Sequence, residues 1–141
     1  MKLYLGADHA GYQLKEKIKL WLEKENISYE DLGALTYCSN DDYPDYAQKV
    51  ALKVVKEKVK GILICGSGQG MCIAANKVKG VRAGLAKTVL DAELLKKHNH
   101  ANILCLSGKS GINTIIKIIK TFLQTKPSPA ERHLRRINKI K

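Results

Sequence analysis

At 141 residues, 45% of them hydrophobic and 27% charged, the chain has the size and composition of a single globular domain, residues 1–141. Chains of this length bury roughly 68% of the surface they expose when unfolded, so a core forms without staples, which excludes collagen-like, disordered and disulfide-scaffold classes. The net charge is +12, from 25 Lys+Arg against 13 Asp+Glu, so a nucleic-acid partner has to be weighed.

Lys2–Gly6 reads as a short strand, after which Leu14, Ile18, Trp21 and Leu22 recur at helical spacing. Ile27–Leu32 is a second strand, closed by Gly33. A polar loop from Cys38 to Asp45 follows, with Pro44 at a helix start, and Ala47, Val50, Ala51 and Val54 mark that helix. Gly61–Cys65 is a continuous apolar run, as in a strand buried on both faces. It leads through Gly66-Ser67-Gly68-Gln69-Gly70 into a helix around Met71–Lys77. Val81–Ala86 is a fourth strand, Ala92–Lys97 lies in a helix, and Ile103–Leu106 is a fifth strand. Ile115, Ile116, Ile118, Ile119, Phe122 and Leu123 make a strongly apolar helix. Beyond Pro127 and Pro129 a basic helix spans about Glu131–Ile140. This alternation predicts an α/β, three-layer Rossmann-like fold. Its five-stranded parallel sheet takes the order 2-1-3-4-5, with helices on both faces and a C-terminal basic helix.

No run reaches the roughly 18 apolar residues of a membrane span, and the apolar stretch before Asp8 is too short for a signal peptide. A cytoplasmic protein is expected, with no membrane partner. Its four cysteines form no C-x-x-C pair or zinc spacing and read as free thiols, Cys72 and Cys105 as small buried hydrophobes. Lysines are scattered over every helix and aromatics are only 6%, which speaks against nucleic acid; an anionic small substrate explains the basic C-terminus equally well.

In the expected sheet, strands 1 and 3 adjoin at the switch point, where ligands bind beyond the carboxyl ends of the strands. Gly6-Ala7-Asp8-His9 and Cys65-Gly66-Ser67-Gly68 meet there. The glycine loop opens a helix, so its bare N–H groups and the helix dipole favour an anion. It is G-x-G-x-G, neither a dinucleotide fingerprint nor a P-loop. Cys65 stands against that helix N-terminus, where a thiolate is useful; the plain alternative is a buried strand cysteine. Ser67 either passes a proton or caps the helix. His9 and the run His98-Asn99-His100 are placed at strand ends. Arg132 and Arg136, four apart, put two guanidinium forks on one helical face, which suits a phosphate or a solvated basic tail.

Six segments in order resemble the type B ribose-5-phosphate isomerases, within the wider ribose, allose and galactose phosphate isomerase family. They are Gly6-Ala7-Asp8-His9-Ala10-Gly11, Asp42-Tyr43-Pro44, Cys65-Gly66-Ser67-Gly68-x-Gly70-Met71, Ile73-Ala74-Ala75-Asn76-Lys77, His98-Asn99-x-Ala101-Asn102 and Arg132-His133-x-x-Arg136. The resemblance implies one sugar-phosphate isomerase domain. Its reaction would be an aldose–ketose isomerisation of ribose 5-phosphate and ribulose 5-phosphate, in the pentose phosphate pathway, without metal or cofactor. It makes Cys65 the base that works through an enediolate, Ser67 the helper between the oxygens, and His98 the acid/base that opens the ring. The N–H groups of Gly66, Gly68 and Gly70 would hold the enediolate charge. Asp8, His9, Tyr43 and Asn99 would bind sugar hydroxyls or phosphate, and Arg132 and Arg136 would clamp the phosphate. It also implies a homodimer or homotetramer with sites shared between subunits. Four positions depart from the family's usual residues: Gln69, Leu90, Ser107, and Lys109, which keeps the charge of an arginine near the phosphate but not its fork.

Overall fold

Strand and helix alternate from β1 to α5, and a second helix follows at the C-terminal end, in the computed structural model, which describes residues 2–140. In chain order the elements are β1 (Lys2–Ala7), α1 (Tyr12–Lys24), β2 (Ser28–Asp31), α2 (Tyr43–Glu57), β3 (Lys60–Cys65), α3 (Gln69–Asn76), β4 (Ala83–Leu85), α4 (Val89–Asn99), β5 (Ile103–Ser107), α5 (Ile112–Gln124) and α6 (Glu131–Asn138). β4 is shorter than the expected Val81–Ala86, and α6 stops two residues before Ile140. Every strand pair is parallel. Among the described residues no helix is long and apolar enough to cross a membrane.

The sheet order is β2-β1-β3-β5-β4, so the last two strands are exchanged relative to the expected 2-1-3-4-5. The reason is burial. Ile103, Leu104, Cys105 and Leu106 are fully buried and take an inner place, whereas β4 is three half-buried residues, Ala-Gly-Leu, suited to an edge. The chain passes over the position of β5 to reach that edge and turns back through α4. Parallel crossovers are right-handed, so this reversal puts α4 on the face that carries α1 and α5. The two apolar cores follow from it. Leu14 and Ile18 of α1, Ala92 of α4 and Ile115, Ile118 and Phe122 of α5 pack on one face. Val50 and Val54 of α2 and Met71 and Ala75 of α3 pack on the other.

Local chemistry fixes the ends of the elements. Thr88 Oγ1 accepts the Asp91 N–H at 3.1 Å while the Asp91 carboxylate accepts the Thr88 N–H at 3.2 Å, a reciprocal box that starts α4. At the other end of α4, His100 adopts φ +47°, the left-handed region that most side chains avoid. Its ring Nε2 lies 2.8 Å from the Ser128 carbonyl, and the Ser128 N–H donates to the Lys97 carbonyl at 3.1 Å. These bonds tie the segment leading into α6 to the C-terminal end of α4. Inside the α1 face, the fully buried Lys15 donates to both oxygens of Asp31, at 2.8 and 2.7 Å, and to the Ala34 carbonyl. Burial pushes Asp31 up, but Lys15, the Gly33 N–H and Lys19 more than reverse this and hold its carboxyl below the usual range.

Candidate active site

The strand register gathers the first half of the predicted site. Ala7 of β1 pairs with Ile64 of β3, and Cys65 pairs with Ser107 of β5. Asp8, Cys65 and Ser107 therefore form a row along the carboxyl edge of the three inner strands. Because β5 rather than β4 lies beside β3, the loop after β5 joins this edge. Ser107 Oγ donates to the Gly66 carbonyl at 2.7 Å, and the Gly108 N–H donates to the Cys65 carbonyl at 2.8 Å. A Cβ on Gly108 would stand 2.2 Å from the Ala10 carbonyl oxygen, so this loop is pressed against the Asp8-His9-Ala10 turn with no room for a side chain. Lys109 is carried to the same edge, exposed.

Cys65 is 5% exposed at the floor of this edge. The loop after it enters α3 through Gly68, whose φ of +82° a residue with a side chain adopts only under strain. The N-cap position of α3 is Gly68, which has no side chain to cap with; Ser67 stands one residue earlier, its Oγ accepts the Gln69 N–H at 3.2 Å, and its exposed hydroxyl keeps its own proton to donate. Tyr43, in the first turn of α2, lays its ring on Gly70, where a Cβ would come within 2.7 Å of it. Cys105 is the buried core cysteine expected. Cys72 is only half-buried, and its thiol points at the Ala83 carbonyl at 3.3 Å. The neighbouring Cys105 thiol lowers Cys72 to about 7, while Cys105 itself is pushed up.

The Asp8 carboxylate is buried and accepts the Ala10 and Gly11 N–H groups at 3.0 and 3.1 Å. Burial nonetheless raises its pKa above the ordinary value. His9 follows, with ring Nδ1 2.8 Å from Asp41 Oδ1. Donor atoms of Asp8, His9 and Asp41 lie within 4.8 Å of one another. One Asp41 oxygen is engaged with His9, and one Asp8 oxygen with backbone amides, which makes this an oriented imidazole. Asp41 and Tyr37, whose ring meets the His9 ring edge-on at 6.5 Å, were not expected here. Both lie in the irregular segment between β2 and α2, where no periodicity marks one side chain over another.

The second half of the predicted site lies elsewhere. His98 and Asn99 are not strand-end residues of this edge; they form the last turn of α4. A helix after a parallel strand runs back along the sheet, so its C-terminus faces the amino edge. There the Arg82 side chain, just before β4, binds the Asn99 and His100 carbonyls at 2.9 and 3.0 Å. The His98 ring stacks on the buried His133 of α6, centroids 4.3 Å apart and planes 15° from parallel. Burial, then His98 and the two flanking arginines, hold His133 below its ordinary pKa. Arg132 and Arg136 are both exposed and make no salt bridge among the described residues, whereas Arg135 is paired with Glu131 at 2.6 Å. His98, Asn99, Arg132 and Arg136 thus form one cluster, and Asp8, His9, Tyr43, Cys65, Gly66, Ser67, Gly68, Gly70 and Lys109 another. β5 alone spans about 13 Å between the two edges, four steps of roughly 3.3 Å.

The profile described as Ribose/Galactose Isomerase matches residues 3–140. The chain belongs to the ribose/galactose isomerase family. It is 45% identical to a probable ribose-5-phosphate isomerase B of Mycoplasma genitalium, over 98% of this chain and 92% of that protein. Among solved structures, a ribose 5-phosphate isomerase of Thermotoga maritima superposes with a TM-score of 0.94 at 45% identity, covering 99% of this chain and 96% of that one. The Mycoplasma genitalium ribose-5-phosphate isomerase B, solved with bound ribulose-5-phosphate, superposes with a TM-score of 0.93 at 44% identity, covering 99% and 93%.

Proposed function

We propose that this family member interconverts ribose 5-phosphate and ribulose 5-phosphate in the cytoplasm, through an enediolate, with Cys65 as the base. The observation that carries the reading is the placement of Cys65 at the end of β3, beside a glycine loop whose N–H groups open a helix. The Cys65 thiolate takes the C2 proton of the open-chain aldose, and the electron pair moves into the C1 carbonyl. The resulting oxyanion is held by amides of Gly66, Gly68 and Gly70, preoriented donors of the kind that stabilise such charge most effectively. Cys65 returns the proton to C1, while the Ser67 hydroxyl passes the O2 proton to O1. Asp8 and Tyr43 bind sugar hydroxyls, and His9 and Lys109 bind toward the phosphate.

Ring opening at C1 and proton abstraction at C2 concern neighbouring atoms, so their acid/base groups must each stand within about 3 Å of one sugar. Within one chain Cys65 and His98 lie at opposite edges of the sheet. The reading therefore includes a homodimer in which the second copy brings His98, Asn99, Arg132 and Arg136 to the carboxyl edge of the first. A coupled assay across ribose 5-phosphate, allose 6-phosphate and galactose 6-phosphate tests it. Ribose 5-phosphate is expected to give the highest kcat/KM, and Cys65→Ala to fold and lose at least about 100-fold in kcat. Near wild-type turnover by Cys65→Ala overturns the base assignment; preference for a hexose phosphate overturns the substrate.

A further inference from the structure

Asp41 belongs to none of the segments that carry the family resemblance, yet the fold builds it into the site. Its side chain is 8% exposed. One of its oxygens accepts two hydrogen bonds from a single residue, the His9 backbone N–H at 3.0 Å and the His9 ring Nδ1 at 2.8 Å. Two bonds to one residue fix both where the imidazole sits and how it is turned. The Tyr37 ring, edge-on at an interplanar angle of 87°, flanks it. With Nδ1–H given to the carboxylate, Nε2 lies on the far side of a ring that remains 36% exposed at this edge.

The titratable groups around this pair are two carboxylates, a tyrosine hydroxyl and a thiol. Asp8 approaches the ring from the turn after β1, and the Tyr46 hydroxyl of α2 faces the Asp41 carboxylate, with Cys38 and Asp45 further out. The Asp41 hydrogen bond, opposed by burial and helped by the Asp8 charge, raises the His9 pKa. Burial pushes Asp41 up, but the two bonds from His9 reverse this and hold it below the usual range. A carboxylate behind one ring nitrogen sets the tautomer and orients the other nitrogen, a general device wherever an imidazole must present one face.

We propose that Asp41 is a positioning residue, holding His9 as an oriented imidazolium whose Nε2–H is presented to the phosphate of the bound sugar. This rests on the isomerase reading of the site. A phosphate monoester loses its second proton near about pH 6, so at neutrality a fixed cation meets a dianion. Asp41 touches no reacting atom. Its influence passes through His9 into substrate binding, and so into KM rather than kcat.

The experiment uses the full chain with Asp41→Asn, Asp41→Glu, His9→Gln and the Asp41→Asn, His9→Gln double variant. The His9 titration is followed by NMR of its ring signals, assigned by their loss in His9→Gln. KM and kcat for ribose 5-phosphate are measured from about pH 5.5 to 8.5 as ratios to wild type, which cancels ionisation of the substrate. In Asp41→Asn the His9 midpoint should fall by about one pH unit, and Asp41→Glu should recover part of it. KM should rise about 5- to 10-fold near pH 7.5 and converge on wild type near pH 5.5, with kcat within about 2-fold. In the His9→Gln background Asp41→Asn should add nothing. An unmoved His9 midpoint in a folded Asp41→Asn variant overturns the proposal. So does a KM ratio that is the same at every pH, or a full additional loss in the double variant. Failure of the wild type to turn over ribose 5-phosphate would overturn the isomerase reading instead. The His9 midpoint, and its displacement by inorganic phosphate, would still decide the role of Asp41.

Discussion

Cys65→Ala and His98→Asn, each crippling in a dimer of one kind, should restore activity when the two chains share a dimer. The structure sets the magnitude. Cys65 lies at the carboxyl edge of the sheet and His98 at the end of α4 at the amino edge, about 13 Å or more apart along β5. In the proposed two-fold dimer each site would take Cys65 from one chain and His98 from the other. In the mixed dimer one site receives both substitutions and the other receives neither. Random pairing of equal amounts makes about half of the dimers mixed, each with one intact site of two, so about a quarter of wild-type activity should appear. Each parent alone should retain about 1% or less if its acid/base group is worth about 100-fold. The chains are coexpressed with two different affinity tags, the doubly tagged species is isolated, and ribose 5-phosphate turnover is measured by the coupled assay. That species alone should reach about half the wild-type rate per dimer. If a verified mixed dimer shows only the average of its parents, Cys65 and His98 serve one site within one chain and the shared-site argument fails.

His98→Asn should slow turnover of ribose 5-phosphate, which must open its furanose ring, more than that of ribulose 5-phosphate, which forms none; equal losses at saturating substrate, corrected for the equilibrium constant, count against ring opening. Arg132→Ala and Arg136→Ala should each raise KM roughly 10-fold or more, if a charge-assisted bond of about 1.5–3 kcal/mol is lost. Arg135→Ala, already paired with Glu131, should change KM little, and equal KM values for all three would sink the clamp. Asp31→Asn strands the buried Lys15 and should destabilise the fold by about 3–5 kcal/mol in urea unfolding at neutral pH. Since the folded pKa of Asp31 is depressed, its contribution is present above the unfolded value of about 3.9 and is lost as pH falls through the folded value. A wild-type advantage that persists undiminished well below about pH 3 would refute that assignment.

The first half of the site was legible because two period-2 or fully apolar runs end in glycine-rich turns, and a switch point puts such ends side by side. The adjacency of β1 and β3 is as expected. The exchange of β4 and β5 has its physical reason in the sequence: Ile103–Leu106 is wholly apolar, whereas Val81–Ala86 contains Arg82 and Gly84, poor choices for an inner strand. Asp41 left no trace, because one acid in a polar loop carries no period and its partner His9 is 32 residues away.

His98 shows a different limit. Its position before the fifth strand suggested a strand end, but in a parallel sheet the residue before a strand and the residue after one lie at opposite edges. No rearrangement of strand order alters that, since every helix between parallel strands runs from the carboxyl edge to the amino edge. A motif ending a strand and a motif ending a helix can act on one small substrate only if two chains meet, the carboxyl edge of one against the amino edge of the other. α6 fits such a meeting: its Arg132 and Arg136 stand exposed beside His98, held there by the stacked His133. The same cluster facing bulk solvent would leave two arginines without partners at the end of a helix whose third arginine is already paired.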